Sequence, residues 1–350
     1  MAIAQSTEEE NCSDDAPPQV DETLNGECKE LLLTLPRARG WRTPHIFLFQ
    51  GFWCQPKEIQ AIISFQRHYV PRDSDAILST LPKAGTTWLK ALTFAVVNRG
   101  RYAHHYHDHE HQHPLLVSNP HDLVPFFEYK AYAGSDGAPD LSGLPDPRLF
   151  GTHMPYHVLE APTAGRCKIV YICRNPFDMF VSQWMYLNKV KPEWLPEVPL
   201  DEAFEMFRSG AVGFGPFWSH VLGYWKASRE RPDRVLFMKY EEMKEDIVSH
   251  LKRLASFLGY PFTAEEEEGG VVEGLAELCS FEKMKELEVN KSGRSIMDFE
   301  NKNLFRKAEV GDWVNYLSPA MEQQLSKVLE EKLGGSGLEF KISPGLPVGQ

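Results

Sequence analysis

Lys83, Gly85, Thr86 and Thr87 lie almost side by side, in the stretch Leu81-Pro82-Lys83-Ala84-Gly85-Thr86-Thr87-Trp88-Leu89-Lys90. An apolar run, Ala76-Ile77-Leu78, precedes it, and Trp88 to Asn98 follows with helical periodicity. A strand, a tight turn and a helix opening on two hydroxyls make an anion cradle. The first N–H groups of a helix lack internal partners, the helix dipole favours negative charge there, and Lys83 adds a full positive charge. A Thr pair alone would indicate only an N-capped helix; the adjacent Lys and Gly favour phosphate. In the nucleotide-hydrolase loop the Lys follows the second Gly. Here Lys83 precedes Gly85, and Thr80 stands five positions before that Gly. The loop is too short, and in the wrong order, to wrap a triphosphate with its magnesium, and suits a smaller terminal group.

Two further blocks could meet an anion. Cys167-Lys168-Ile169-Val170-Tyr171-Ile172-Cys173 is nearly continuously apolar, as in a strand buried on both faces of a parallel sheet. It ends in Arg174-Asn175-Pro176-Phe177-Asp178, and Ser182 follows on a helical segment. An Arg at the carboxyl end of such a strand lies where open α/β sheets bind ligands, and its fork matches phosphate geometry. The third block is Asn303-Leu304-Phe305-Arg306-Lys307-Ala308-Glu309-Val310-Gly311-Asp312-Trp313. Taken singly, Arg174 and the Arg306-Lys307 dipeptide fit ordinary surface positions equally well.

The three blocks, in this order, resemble the cytosolic sulfotransferases, over about residues 41–333. The first is similar to that family's P-K-S-G-T-T-W signature, with Ala84 where Ser is usual, which removes a hydroxyl and leaves the backbone donor. The middle block resembles R-N-P-x-D-x-x-x-S, in which Arg and Ser hold the 3′-phosphate of the sulfuryl donor, 3′-phosphoadenosine-5′-phosphosulfate (PAPS). The third is similar to F-R-K-G-x-x-G-D-W, where Arg, Lys and the next N–H close over the same phosphate. Ala308 replaces that Gly and donates equally well unless the position needs a positive φ. Phe150-Gly151-Thr152-His153-Met154-Pro155 resembles the T-H-x-P motif, whose His is the general base. Among thirteen His residues, His153 has this context and His157 lacks it. A neutral imidazole takes up a hydroxyl proton near neutral pH. Many mammalian relatives carry a Lys two residues before that His, where this chain has Gly151.

The resemblance implies further roles. Adenine stacks on Trp88, and Lys83, Ala84, Gly85, Thr86, Thr87, Arg174, Ser182, Arg306, Lys307 and Ala308 hold the nucleotide. Phe214 stands where many relatives have a Tyr near the nucleotide, and Cys279 where a Thr is common. Lys83 meets charge on the departing bisphosphate, Ser182 holds the Lys83 ammonium aside until acceptor binds, and no metal is needed. Gly40-Trp41-Arg42 and Phe214-Gly215-Pro216-Phe217-Trp218 are most similar to the plant branch. Trp53, Phe126, Phe127, Tyr156 and Tyr186 fall near the expected gates and suit flat hydroxylated acceptors such as flavonoids, phenols or steroid-like alcohols. Plant relatives also sulfate hydroxyjasmonate and desulfoglucosinolates. Two rivals remain: a nucleotide kinase or hydrolase with a degenerate loop, and a non-catalytic nucleotide binder. Lys83, His153, Arg174 and Ser182 together speak against the binder.

To position these residues the chain needs a single α/β domain with a central parallel sheet flanked by helices, similar to P-loop nucleotide kinases. Strands are expected near 76–81, 168–173 and 235–238, each followed by a helix. Residues 38–341 make that domain, between an unstructured acidic tail at 1–37 and a flexible one at 342–350. Residues 1–30 hold nine Asp or Glu and one Lys, a net of −8 out of −12 for the whole chain. The remaining body carries −4, which excludes a nucleic-acid binder with a broad basic face. Loops at 99–150 and 286–305 read as gates, the second ordering when nucleotide binds. His-rich residues 104–113 read as a surface insertion, and Glu265 to Glu268 as an exposed first helical turn. Six irregularly spaced Cys imply reduced thiols in the cytoplasm, and neither a membrane span nor a secretory signal is expected. The dimerisation motif of mammalian relatives, K-x-x-x-T-V-x-x-x-E, is not matched after Trp313, so the expected state is a monomer or weak homodimer.

Overall fold

The computed structural model describes residues 23–102, 113–134 and 137–342. Its first residues overturn the unstructured tail expected to reach residue 37. Helix α1 (Gly26–Leu32) starts from Asn25, whose side chain accepts from the Cys28 N–H at 2.8 Å, and Leu24, Cys28 and Leu32 enter the main core. Apolar side chains spaced four apart give the segment a buried stripe despite its acidity. The remainder of both expected tails, and residues 103–112 with most of the His-rich run, lie outside the described residues. Strands β1 (Arg37–Arg39), β2 (His45–Phe49) and β3 (Phe52–Cys54) then form a small antiparallel sheet, followed by helix α2 (Pro56–His68).

The main sheet has four parallel strands. β4 (Ala76–Thr80) leads into α3 (Thr86–Tyr102), and after a short helix, α4 (Pro120–Leu123), the chain enters β5 (Leu149–Thr152). α5 (Tyr156–Thr163) returns it to β6 (Lys168–Cys173), α6 (Pro176–Val190) follows, and β7 (Val235–Lys239) comes last. The order is β5-β4-β6-β7. All five residues of β4 are buried, the polar Ser79 and Thr80 included, as befits a central strand covered on both faces. The first of the four thus sits between the next two, and the direction of strand addition reverses beside it. Open parallel sheets bind ligands at the carboxyl ends of the strands at such a reversal. Each strand delivers a cleft residue there: Lys83 after β4, His153 after β5, Arg174 after β6 and Tyr240 after β7.

Three expectations about elements are corrected. β5 was concealed by its brevity and by Gly151, yet all four of its residues are buried. The polar gate expected at 99–150 is partly core: α3 runs to Tyr102, and Phe126, Phe127 and Tyr132 are almost fully buried around a π-helical turn, Phe127–Ala131. The 286–305 segment is built of short helical turns at Glu288–Lys291, Ile296–Asp298 and Asn301–Leu304, with Asn301 fully buried. The acidic run is helical as expected, residues Ala264–Glu268 starting from a Thr263–Glu266 capping box.

Candidate active site

Gly85 has φ +112, and a Cβ there would meet the Tyr240 ring at 3.0 Å and Ile172 at 3.2 Å, so the cradle needs glycine at this place. Ala84 faces away into the core, and its N–H donates to the Leu81 carbonyl at 3.2 Å. The backbone donor expected of Ala84 is therefore spent inside the turn. The Thr86 hydroxyl lies 2.7 Å from that of Thr80, and the Thr87 hydroxyl 3.0 Å from Nε2 of His121. Both threonines line a cavity of about 280 Å³ with Lys83, Trp88, Arg174, Ser182, Cys279, Arg306 and Ala308.

The cavity is strongly cationic. Burial, with Arg174, Arg306 and Lys189 nearby, pushes the Lys83 ammonium down to about 7. Its Nζ rests over the Tyr186 ring at 4.1 Å and makes no hydrogen bond with Ser182. Arg174 donates from Nη2 to the Glu309 carbonyl at 2.6 Å, which ties the second block to the third, while its buried Nε has no partner. Asp178, fully buried, accepts from the N–H groups of Gly311 at 2.7 Å and Trp313 at 3.0 Å. Arg306 pairs with Asp312 but keeps a buried, unpartnered Nη2. Lys307 is turned onto Asp312 at 2.6 Å, and does not line the cavity as expected of it.

Ala308 adopts φ +57, the conformation that its replacement of glycine makes costly. Ala308→Gly is expected to stabilise the protein by about 0.5–1 kcal/mol, the left-handed penalty less the extra chain entropy of glycine. A thermal melt of the two proteins reads the gain directly, and an unchanged or lowered midpoint would refute it.

His153 sits where this cavity meets a smaller one of about 90 Å³. Its Nδ1 lies 2.7 Å from the Thr80 carbonyl, which can only accept, so in the neutral ring Nδ1 carries the hydrogen and Nε2 the lone pair. Burial pushes the imidazole down to about 3, with Lys90 and His220 adding to the shift. The His153 backbone N–H donates to Glu128 Oε1 at 2.6 Å, and its backbone carbonyl lies 2.9 Å from Nε2 of His220, so the backbone is fixed from both sides. Phe126 lies between His121 and His153, with ring centroids 5.3 Å and 4.9 Å away.

Of the residues expected to touch acceptor, Phe126 and Tyr186 line the cleft. Phe127 instead packs between Phe65 and Phe150, and Tyr156 against Tyr224. Trp53 contributes backbone bonds that hold Phe214 and Gly215. Phe214 belongs to the smaller cavity, 5.4 Å from the His153 ring, and not to the nucleotide side where it was expected. Sequence reasoning passed over His121, Tyr240 and the buried Lys90. An Asn119-Pro120 helix start was the available signal for His121. Lys90 donates to the Val124 carbonyl at 2.8 Å and lies 3.2 Å from the Phe126 ring centre. A Cβ on Gly151 would come within 2.4 Å of its Cε.

Residues 73–337 match the sulfotransferase domain. The chain belongs to the sulfotransferase family. Among relatives of this sulfotransferase, cytosolic sulfotransferase 15 of Arabidopsis thaliana is 57% identical over 92% of this chain and 89% of its own. Cytosolic sulfotransferase 14 of the same plant is 55% identical, over 93% of this chain and 94% of its own. An Arabidopsis thaliana putative steroid sulphotransferase superposes with a TM-score of 0.70 at 40% identity, covering 89% of this chain and 94% of that one. Mouse sulfotransferase SULT7A1 complexed with PAP gives 0.64 at 27% identity, over 83% of this chain and 95% of that one. These matches make the protein a plant-type cytosolic sulfotransferase and set aside the kinase and pure-binder readings. Among the described residues no helix is long and apolar enough to cross a membrane, and no group of His, Cys, Asp or Glu is gathered to hold a metal ion.

Proposed function

We propose that the enzyme moves the sulfuryl group of PAPS to a hydroxyl of a small acceptor by in-line displacement, with His153 as general base. The observation that carries this reading is the position of His153: it lines both cavities, and the Thr80 carbonyl leaves its Nε2 lone pair free. The larger cavity, with Lys83, Arg174 and Arg306, suits the bisphosphate; the smaller, with Tyr129, Phe214 and Tyr186, suits the acceptor. As the acceptor oxygen attacks sulfur, Nε2 takes its proton and the Thr80 carbonyl stabilises the resulting imidazolium through Nδ1–H. The bond from sulfur to the bridging oxygen breaks, and Lys83 stands ready to meet the charge left on that oxygen. Arg174 and Arg306, each with an unpartnered buried N–H, suit the 3′-phosphate. Trp88 and Phe281 offer faces for the adenine. The matching relatives' names support a cytoplasmic location.

The test is calorimetric titration with 3′-phosphoadenosine-5′-phosphate (PAP) against ATP with magnesium, then turnover of labelled PAPS. Preference for ATP with magnesium, or binding of neither, would overturn the reading. The same titration carries a second expected outcome. Lys83 is held near 7 by burial and cationic neighbours, and an incoming bisphosphate favours its charged form, so binding raises its pKa. At pH 8, where both phosphates are already ionised, binding takes up close to one proton, read from heats in buffers of different ionisation enthalpy. Lys83→Met abolishes the uptake; uptake persisting in that variant assigns the proton elsewhere.

A further inference from the structure

Of the cavity residues that the sequence motifs left out, His121 carries an unspent polar atom. It is almost fully buried, its Nε2 lies 3.0 Å from the Thr87 hydroxyl, and its Nδ1 has no partner among the described residues. The ring is firmly placed. It stacks on Phe126 with the planes 15° apart, and its backbone N–H donates to Asn119 Oδ1 at 3.0 Å. The Asn119 amide in turn donates to Asn290 at 2.8 Å. His121 lines the nucleotide cavity and not the smaller one, so it is no second base for the acceptor.

Burial, with Lys90, His153 and Lys83 nearby, holds the imidazole well below its usual range, so it is neutral and carries one hydrogen. On Nδ1 that hydrogen would be a buried donor with nothing to meet, and buried N–H groups without a partner are rarer than acceptors without one. On Nε2 it donates to Thr87 Oγ1. Among the described residues His121 is the one hydrogen-bond partner of that hydroxyl, so the hydrogen of Thr87 is left over, at the wall of the nucleotide cavity. A hydroxyl that accepts on one side is a stronger donor on the other.

We propose that His121 is a positioning residue: its Nε2–H donates to Thr87 Oγ1 and turns the Thr87 hydroxyl hydrogen onto the 5′-phosphate end of the bound nucleotide. The proposal rests on the PAPS reading above and adds a residue to that site. Arg174 and Arg306 serve the 3′-phosphate there, which leaves the turn before α3 for the other end. That end gains negative charge as the sulfuryl group departs, so a donor already aimed at it needs no rearrangement during the step.

Calorimetry with PAP and with adenosine 3′-phosphate, which lacks the 5′-phosphate, provides the test. His121→Phe keeps a ring on Phe126 and loses the N–H. It is expected to weaken PAP about tenfold, the worth of one oriented hydrogen bond to an anion. Adenosine 3′-phosphate should bind it unchanged, which also reports an intact fold. Thr87→Val should weaken PAP at least as much. In the double variant the loss should equal that of Thr87→Val alone, because no hydroxyl remains to be oriented. His121→Gln, which can bring an amide N–H near the place of Nε2, restores part of the affinity. A His121→Phe penalty that persists undiminished beside Thr87→Val, or falls equally on both ligands, makes the role merely structural and overturns the proposal. Unchanged PAP affinity in either single variant does the same. In the unaltered enzyme with PAP bound, the imidazole nitrogen NMR shifts, assigned by the signal lost in His121→Gln, should show the hydrogen on Nε2; a hydrogen on Nδ1 overturns the proposal without recourse to a variant's affinity. Failure of PAP to bind the unaltered enzyme overturns the transfer reading itself.

Discussion

Replacing His153 by Asn should lower kcat by about 10²–10⁴, the usual worth of a positioned general base, and leave PAP affinity within about twofold, well inside the factor of ten that 1.4 kcal/mol represents. Asn retains a donor near the place of Nδ1, so the buried Thr80 carbonyl keeps a partner, while nothing replaces Nε2. His153→Ala should match it in rate and lose stability as well, because that carbonyl is left unpaired. Turnover within a few-fold of the parent in both variants would remove His153 as the base. A pH profile gives an independent reading. The imidazole stays neutral down to about 3, so kcat/KM for PAPS should not fall as pH drops through 6.5. It should fall as pH rises above 7, where the free enzyme loses the Lys83 proton. An acid limb centred near 6.5 would show that the environment of His153 is more polar than its burial implies.

Lys83→Met should separate stability from activity. The rate should drop by about 10²–10³, as when a preorganised donor to a developing anion is removed. Stability should rise. The Lys83 ammonium is half-buried in the cavity beside Arg174, Arg306 and Lys189, and its contact is the Tyr186 ring. Folding therefore carries a cost for this group that Met does not incur. The sign with pH follows from linkage: the folded pKa is about 7 against an unfolded value of 10.5. Below pH 7 both states hold the proton and the cost is full; it shrinks as pH rises and is gone above 10.5. The stabilisation of Lys83→Met should therefore be greatest at or below neutral pH and vanish in strong alkali, as measured by denaturant midpoints across pH. A less stable variant at pH 6.5 would mean that the Tyr186 contact outweighs desolvation and repulsion.

How far residue types alone could go depends on which face a side chain takes. β4, β6 and β7 were readable because burial on both sides leaves an apolar run in each, with turn residues directly after β4 and β6 and a helix directly after β7. β5 was not, being four residues long with a glycine inside it. Lys83, Gly85, Thr86, Thr87, Trp88, Arg174, Ser182, Cys279, Arg306 and Ala308 do share one cavity, which their local strings implied. Ala84, Lys307 and Phe214 lie in or beside such strings, yet the chain turns them respectively into the core, onto Asp312 and into the second cavity. No local pattern records that choice, since it is made by partners far away in sequence. The supporting carboxylates were hidden for the same reason: Asp178 was in view in the second block, but its targets Gly311 and Trp313 lie in the third.

The contact of Lys90 with Gly151 bears on how this chain can be altered or compared. One site lies on the helix after β4 and the other in β5, and together they share a volume that admits a single side chain. A homologue with a long residue at the position of Gly151 is expected to have a shorter or redirected side chain at that of Lys90, so the two positions should change as a couple. Transplanting either residue alone between branches of the family would create a collision or a void. A chimera that joins this Lys90 to a long residue at the position of Gly151 should consequently melt below either parent.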